Sequence, residues 1–238
     1  MRGLLLEIIM LNFVKVKSNV KNILIIFFLL QYCSMDAQHT IQPMKYLALG
    51  DSYTIGESVP EVERWPNQLV DSLNKKGHQI GRPTIIATTG WRTDDLKNAM
   101  TKAHLKNKYD LVSLLIGVNN QYQGKLSSQY VIEFEELLKT AIRLAKRKKQ
   151  RVFVVSIPDY GFTPFGKPNQ EAITKAIDEF NEINARITYK YGIQYFDITE
   201  ISREGLKDPS LVATDGLHPS GKMYSYWVEL ISKGLELN

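Results

Sequence analysis

The sequence predicts a three-layer α/β fold, with a parallel sheet covered by helices on both faces. Three observations carry this. Short apolar runs alternate with longer amphipathic segments along the chain. No internal repeat or low-complexity segment interrupts that alternation after the N-terminal 37 residues. The composition, 44% hydrophobic and 23% charged over 238 residues, is that of an ordinary soluble domain with room for a sizeable core. Strand–helix alternation implies right-handed crossovers, and hence strands that run parallel.

The elements follow in order. The first apolar run is 46–49. Trp65, Leu69 and Leu73 then recur at helical spacing, with Pro66 near the start and Gly77 as a stop. A second run, 84–88, leads to Leu96, Met100 and Ala103, a helix for which Thr93 is the expected cap. The third run, 111–116, precedes a long helix marked by Phe134, Leu137, Leu138, Ala141, Ile142 and Ala145. The fourth, 152–157, precedes Ile173, Ile177, Phe180, Ile183 and Ile187. The fifth, 194–196, is followed by a long loop and a last helix carrying Tyr224, Trp227, Val228 and Ile231. One domain over 44–238 accounts for all of this, with 38–43 as a short linker.

Residues 1–37 are different. Lys15, Lys17 and Lys21 precede an apolar run at 23–30, which gives way to polar and small residues ending in Met35-Asp36-Ala37. That is the order of a signal peptide cleaved after Ala37. The run is too short to span a bilayer by itself. Residues 1–14 are also fairly apolar, so a retained membrane anchor is the alternative, and Met10 as well as Met1 fits as the start. Export to the periplasm or the medium is the expectation, with membrane contact only through this segment. Cys33 is the single cysteine, and Gln31-Tyr32 before it does not resemble a lipidation signal. Past the leader there is no thiol, which excludes disulfides, cysteine-ligated metals and a cysteine nucleophile.

Without Arg2, Lys15, Lys17, Lys21, Glu7 and Asp36 the net charge falls from +5 to +3, too little to argue for nucleic acid. The one basic cluster, Lys146-Arg147-Lys148-Lys149, ends a predicted helix, where cations complement the dipole.

Open parallel sheets bind ligands beyond the carboxyl ends of their strands. Gly50-Asp51-Ser52-Tyr53 follows the first run, Thr89-Gly90-Trp91 the second, and Gly117-Val118-Asn119-Asn120 the third. Asp215-Gly216-Leu217-His218 lies beyond the fifth. A serine hydroxyl needs a base to become a nucleophile. His39 borders the leader, His78 follows Gly77 in a turn, and His104 sits in a helical pattern, which leaves His218. Asp215 is close enough to hold one imidazole nitrogen and fix the tautomer. Donors for an oxyanion would be the N–H groups of Ser52 and Gly90 and the side-chain amide of Asn119. Asp51 reads as a structural residue that accepts from backbone amides.

These blocks resemble the SGNH (GDSL-type) hydrolase superfamily over essentially all of 44–238, with Ser52, Gly90, Asn119 and His218 as its four named residues. The first and last blocks carry most of the specificity. Tyr53 stands where leucine is common and Asn120 where aspartate is common, departures expected to bear on pocket shape. The resemblance implies a flavodoxin-like five-stranded sheet of order 2-1-3-4-5 and no cofactor or metal.

The expected function is hydrolysis of carboxylic esters by a Ser52–His218–Asp215 triad. Trp91, Arg92, Gln121, Tyr122 and the 160–165 loop should border the rim. Aromatics mixed with amides and one arginine suit a small-molecule or glycan ester with a short, partly polar acyl group, such as an acetylated sugar. A lysophospholipase or thioesterase of the same fold is the alternative. A metal-dependent phosphoesterase using Asp51, Asn119, Asp215 and His218 is a further alternative that leaves Ser52 and Gly90 without a role, and the intact Ser–His–Asp set argues against a carbohydrate-binding module on an inactivated fold.

Overall fold

The computed structural model describes residues 42–106 and 108–237. The leader readings, including Cys33, Met1 and Met10, lie outside the described residues, as does most of the 38–43 linker. Strands β1 (Tyr46–Gly50), β2 (Thr84–Ala87), β3 (Leu111–Leu115), β4 (Val152–Val155) and β5 (Gln194–Phe196) pair in the order β2-β1-β3-β4-β5, every neighbouring pair parallel. This is the flavodoxin-like arrangement. β1, β3 and β4 are buried along their whole length. Burial on both faces is why they read as continuous apolar runs instead of alternating ones. The hydroxyls of Tyr46 and Ser113, polar groups within these strands, satisfy each other at 2.8 Å.

The helices are α1 (Ser52–Ile55), α2 (Trp65–Lys75), α3 (Thr93–Lys102), α4 (Val118–Tyr122), α5 (Ser127–Leu144), α6 (Gln170–Lys190), α7 (Thr199–Ser202) and α8 (Gly221–Gly234). α2 packs on α8, while α5 packs on both α3 and α6, giving the two helical layers. Aromatic contacts tie the layers together: Phe153 of β4 lies 6.4 Å from Trp65 of α2, and within the sheet it lies 5.6 Å from Phe196 of β5, ring centre to ring centre. Trp65 and Trp227 are completely buried. Each such side chain contributes roughly 1.5–3 kcal/mol of burial free energy. Among the described residues no helix is long and apolar enough to cross a membrane.

β1 runs one residue past its expected end, to Gly50, β2 stops one short, at Ala87, and other element ends also differ from the sequence expectation. Strands β3 and β4 stop short of Ile116 and Ile157, although both residues are buried. Side chains take over there: Tyr130 donates its hydroxyl to the Ile116 carbonyl at 2.8 Å, and the Asn181 amide bonds both N–H and C=O of Ile157 at 2.8 Å. Thr93 does not cap α3. It is the first helical residue, and the Asp95 carboxylate reaches back to the Arg92 N–H at 3.1 Å instead.

Candidate active site

The strand order makes β1 the neighbour of both β2 and β3, with Gly50 in register with Ala87 and with Leu115. The segments after these three strands therefore emerge side by side. Gly50 permits the sharp exit: a Cβ there would lie 2.2 Å from Thr54 Oγ1 and 2.4 Å from the Leu115 carbonyl. Asp51 then caps α1, its Oδ1 accepting the Tyr53 N–H at 3.1 Å. Ser52 heads this one-turn helix, almost fully buried, and Gly56 ends it in the left-handed region at φ 70°. Asp51 itself is fully enclosed beneath the turn. Burial pushes its carboxyl up to about 7, against the opposing pull of the Tyr53 and Gly117 amides.

The second cluster comes from the loop before α8. Asp215 Oδ1 accepts the N–H groups of Leu217 and His218, each at 2.9 Å. Its Oδ2 lies 2.7 Å from His218 Nδ1. That same oxygen accepts the Ser58 hydroxyl at 2.6 Å. Partial burial pushes the Asp215 carboxyl up, but the bonds from Ser58, His218 and Leu217 outweigh it and hold the group well below the usual carboxylate range. With Nδ1–H donating to Asp215, the Nε2 lone pair of His218 is left as the basic site. The imidazole is nearly buried, and the ring of Tyr53 meets it edge-on with centroids 5.7 Å apart. Tyr53 thus brings the residue next to Ser52 against the His218 ring.

Gly90, three residues past β2, has φ 83°, a conformation that only glycine takes without strain, and its N–H carries no side chain beside it. Asn119 lies on α4 and donates from Nδ2 to the Trp91 carbonyl at 3.0 Å, which leaves its other amide hydrogen free for a ligand. So Ser52, Gly90 and Asn119 come from adjacent strand ends, and Asp215 and His218 join them through Tyr53 and Ser58.

The other sequence candidates are placed differently. Arg92 is not a free cation at the rim. Its guanidinium makes two bonds to Asp94, at 2.9 and 2.8 Å, and one to Gln123 at 2.7 Å. Asn120 faces inward and does not reach the rim itself. It is buried against α3, accepting from Thr93 N at 3.1 Å and donating to Thr93 Oγ1 at 2.7 Å. Trp91 is half-buried and packs on the core. Gln121 accepts the Tyr160 hydroxyl at 3.0 Å. Tyr122 and Phe165, 59% and 50% exposed, form a three-ring cluster with Tyr160, centroids 6.2 to 6.4 Å apart. Phe165 is tied to the Asp215 loop by its N–H to the Gly216 carbonyl, at 3.0 Å. Among the described residues no three or more His, Cys, Asp or Glu side chains converge as a metal-binding set.

Sequence reasoning missed Ser58 and Glu57. The Glu57 carboxylate accepts the Thr89 hydroxyl next to Gly90. The one available signal was Gly56, which forces a tight turn directly after α1 and so returns the chain to the rim.

A sequence profile of the GDSL-like Lipase/Acylhydrolase family matches residues 48–226. No curated protein sequence matches the chain. Among solved structures, TesA superposes with a TM-score of 0.64 at 15% identity, covering 82% of this chain and 99% of its own. A lipase/acylhydrolase from Enterococcus faecalis gives 0.60 at 20%, covering 82% and 98%. An acetyl xylan esterase from Geobacillus stearothermophilus gives 0.59 at 20%, covering 81% and 95%. At these identities the likeness carries the fold.

Proposed function

This chain belongs to the GDSL-like lipase/acylhydrolase family and is an ester-bond hydrolase, and we propose that it acts as a serine carboxylesterase on short-acyl esters, acetylated sugars among them. His218 Nε2 takes the Ser52 proton as Oγ attacks the ester carbonyl. The oxyanion is held by the N–H groups of Ser52 and Gly90 and the free amide hydrogen of Asn119. His218 returns the proton to the departing alcohol, and water then repeats the sequence on the acyl-serine. Asp215 fixes the imidazole tautomer and stabilises the imidazolium.

One observation carries this reading: both Asp215 oxygens are engaged, one by the loop's own N–H groups and the other by His218 Nδ1 at 2.7 Å. An acid positioned in this way has little purpose unless the imidazole it holds must gain and lose a proton. The substrate class rests on the half-exposed rings of Tyr122 and Phe165 and on the Gln121 amide beside them. A sugar presents an apolar ring face edged with hydroxyls, which that mixture suits. The fold-level likeness to an acetyl xylan esterase points the same way. Export by the leader belongs to the same proposal, and sequencing the N-terminus of the secreted protein checks it, with Gln38 expected first.

The test is labelling and turnover together. A fluorophosphonate should modify Ser52 and abolish hydrolysis of p-nitrophenyl acetate, while a chelator leaves the rate unchanged. Ser52→Ala and His218→Ala should each lower kcat by at least about a thousandfold with the fold retained, because nucleophile and base act as one unit. Near-normal turnover by Ser52→Ala would overturn the mechanism.

A further inference from the structure

The hydroxyl of Ser58 reaches across 157 positions of sequence to Asp215 Oδ2, at 2.6 Å, the oxygen that also faces His218 Nδ1. Ser58 is held in the left-handed region at φ 62°, a conformation that non-glycine residues adopt at a cost. The other described non-glycine residues with positive φ, His104, Lys146 and Arg147, directly follow helices α3 and α5, where such a conformation is an ordinary way to end a helix. Ser58 has no such duty, since Gly56 already ends α1. The turn it sits in is bonded on three sides. Gly56 and Glu57 both donate their N–H groups to the Ser52 carbonyl at 3.0 Å. Glu57 holds the Thr89 hydroxyl. Ser58 holds Asp215. One turn therefore touches the residue carrying the nucleophile, the loop carrying Gly90 and the triad acid.

We propose that Ser58 is a positioning residue of this esterase, whose hydroxyl fixes the Asp215 carboxylate so that Oδ2 stays aimed at His218 Nδ1. The inference rests on the triad reading above. Oδ1 is already fixed by two backbone N–H groups, but those bonds alone leave the carboxylate free to swing Oδ2 about them. Asp215 and Ser58 are both reached by solvent, so a water would take Ser58's place in its absence without defining a direction. The imidazole would then sample orientations in which Nε2 no longer meets the Ser52 proton. Misplacement on that scale lowers the chemical step and leaves ground-state binding alone.

The test compares Ser58→Ala with Ser58→Gly. Both remove the hydroxyl, and glycine also removes the backbone strain, so a strain effect separates them while a hydroxyl effect does not. Expected for both is a kcat loss of about five- to fiftyfold with KM within twofold. The downfield proton resonance of His218 Nδ1–H, read by NMR on the full chain, should shift or broaden in both. The urea midpoint of Ser58→Gly should stay at or above that of the parent. Wild-type kcat in Ser58→Gly, an unmoved imidazole resonance, or a change confined to KM each overturns the proposal. His218→Ala is assayed beside them. If it is inactive while the Ser58 variants behave like the parent, this inference alone fails; if it is active, the triad reading fails and this inference with it.

Discussion

Asp51 shows how far the placement of one residue decides its chemistry. It neighbours Ser52 in sequence, yet its carboxyl lies enclosed beneath the turn, where burial opposes ionisation and pushes the group up to about 7. The folded state therefore holds a proton that the unfolded chain has lost between the ordinary value of 3.8 and about 7. A raised carboxyl pKa means stability is greatest below that window and falls as pH rises through it. Each unit corresponds to about 1.4 kcal/mol, so the loss reaches at most roughly 4 kcal/mol by pH 8. Asp51→Asn keeps an Oδ1 to cap the Tyr53 N–H and cannot ionise. Denaturant melts should show this variant more stable than the parent at pH 8, by about 1–4 kcal/mol, with the advantage vanishing near pH 4. A difference independent of pH would show that Asp51 ionises in the folded protein as readily as in the unfolded chain. Asp215 works in the opposite direction and in another window. Its carboxyl is depressed, so its contribution to stability is present above the ordinary carboxylate range and is lost only below about pH 4.

At the scale of elements, the turn from β3 into α4 sets where Asn119 stands. Gly117 occupies φ 133°, and a Cβ there would lie 2.4 Å from Tyr130 Oη and 2.8 Å from Ile157 Cδ1. The Tyr130 hydroxyl cannot yield easily, since it bonds both the Ile116 carbonyl and Asn184 Oδ1. Gly117→Ala is therefore expected to destabilise the protein by about 2–4 kcal/mol and to shift α4 enough to reduce kcat more than KM. A urea midpoint within error of the parent would show that the turn relaxes freely. The motif around Gly117 was legible in the sequence, but the reason for the glycine was not, because Tyr130 and Ile157 approach it only in the folded chain. The same division runs through the molecule. Strands β1, β3 and β4 were legible because burial on both faces leaves unbroken apolar runs, and α2, α5 and α6 because one buried face repeats every three or four residues. The ends of β3 and β4 and the start of α3 were not, because Tyr130, Asn181 and Asp95 set them through side-chain bonds that no local pattern encodes. Asp215 and His218 declared themselves by lying three residues apart, whereas the Ser58 bond to Asp215 spans most of the domain.

At the scale of the whole molecule, the parallel sheet gathers one rim from distant stretches of chain, and the proposed substrate class rests on what that rim presents. Beside α1, two further helices reach it with polar or satisfied groups: α3 begins beside Arg92, already engaged by Asp94, and α4 presents Asn119 and Gln121. The apolar surface there is the ring cluster of Tyr122, Tyr160 and Phe165, two of whose rings remain half open to solvent. An enzyme selective for long acyl chains needs a dry tunnel, in which each buried methylene adds about 0.8 kcal/mol, close to fourfold in kcat/KM. If, as proposed, these half-exposed rings form an open platform and not a tunnel, they give no such increment. Across p-nitrophenyl esters from acetyl to dodecanoyl, assayed without detergent and below their critical micelle concentrations, kcat/KM should peak between acetyl and butyryl and fall by octanoyl. Acetylated xylan run beside them should be turned over, and Tyr122→Ala should raise KM on the glycan more than on p-nitrophenyl acetate. A steady rise to octanoyl or beyond would mean that the rings line an acyl channel, and would move the function to lysophospholipid or thioester hydrolysis on the same fold.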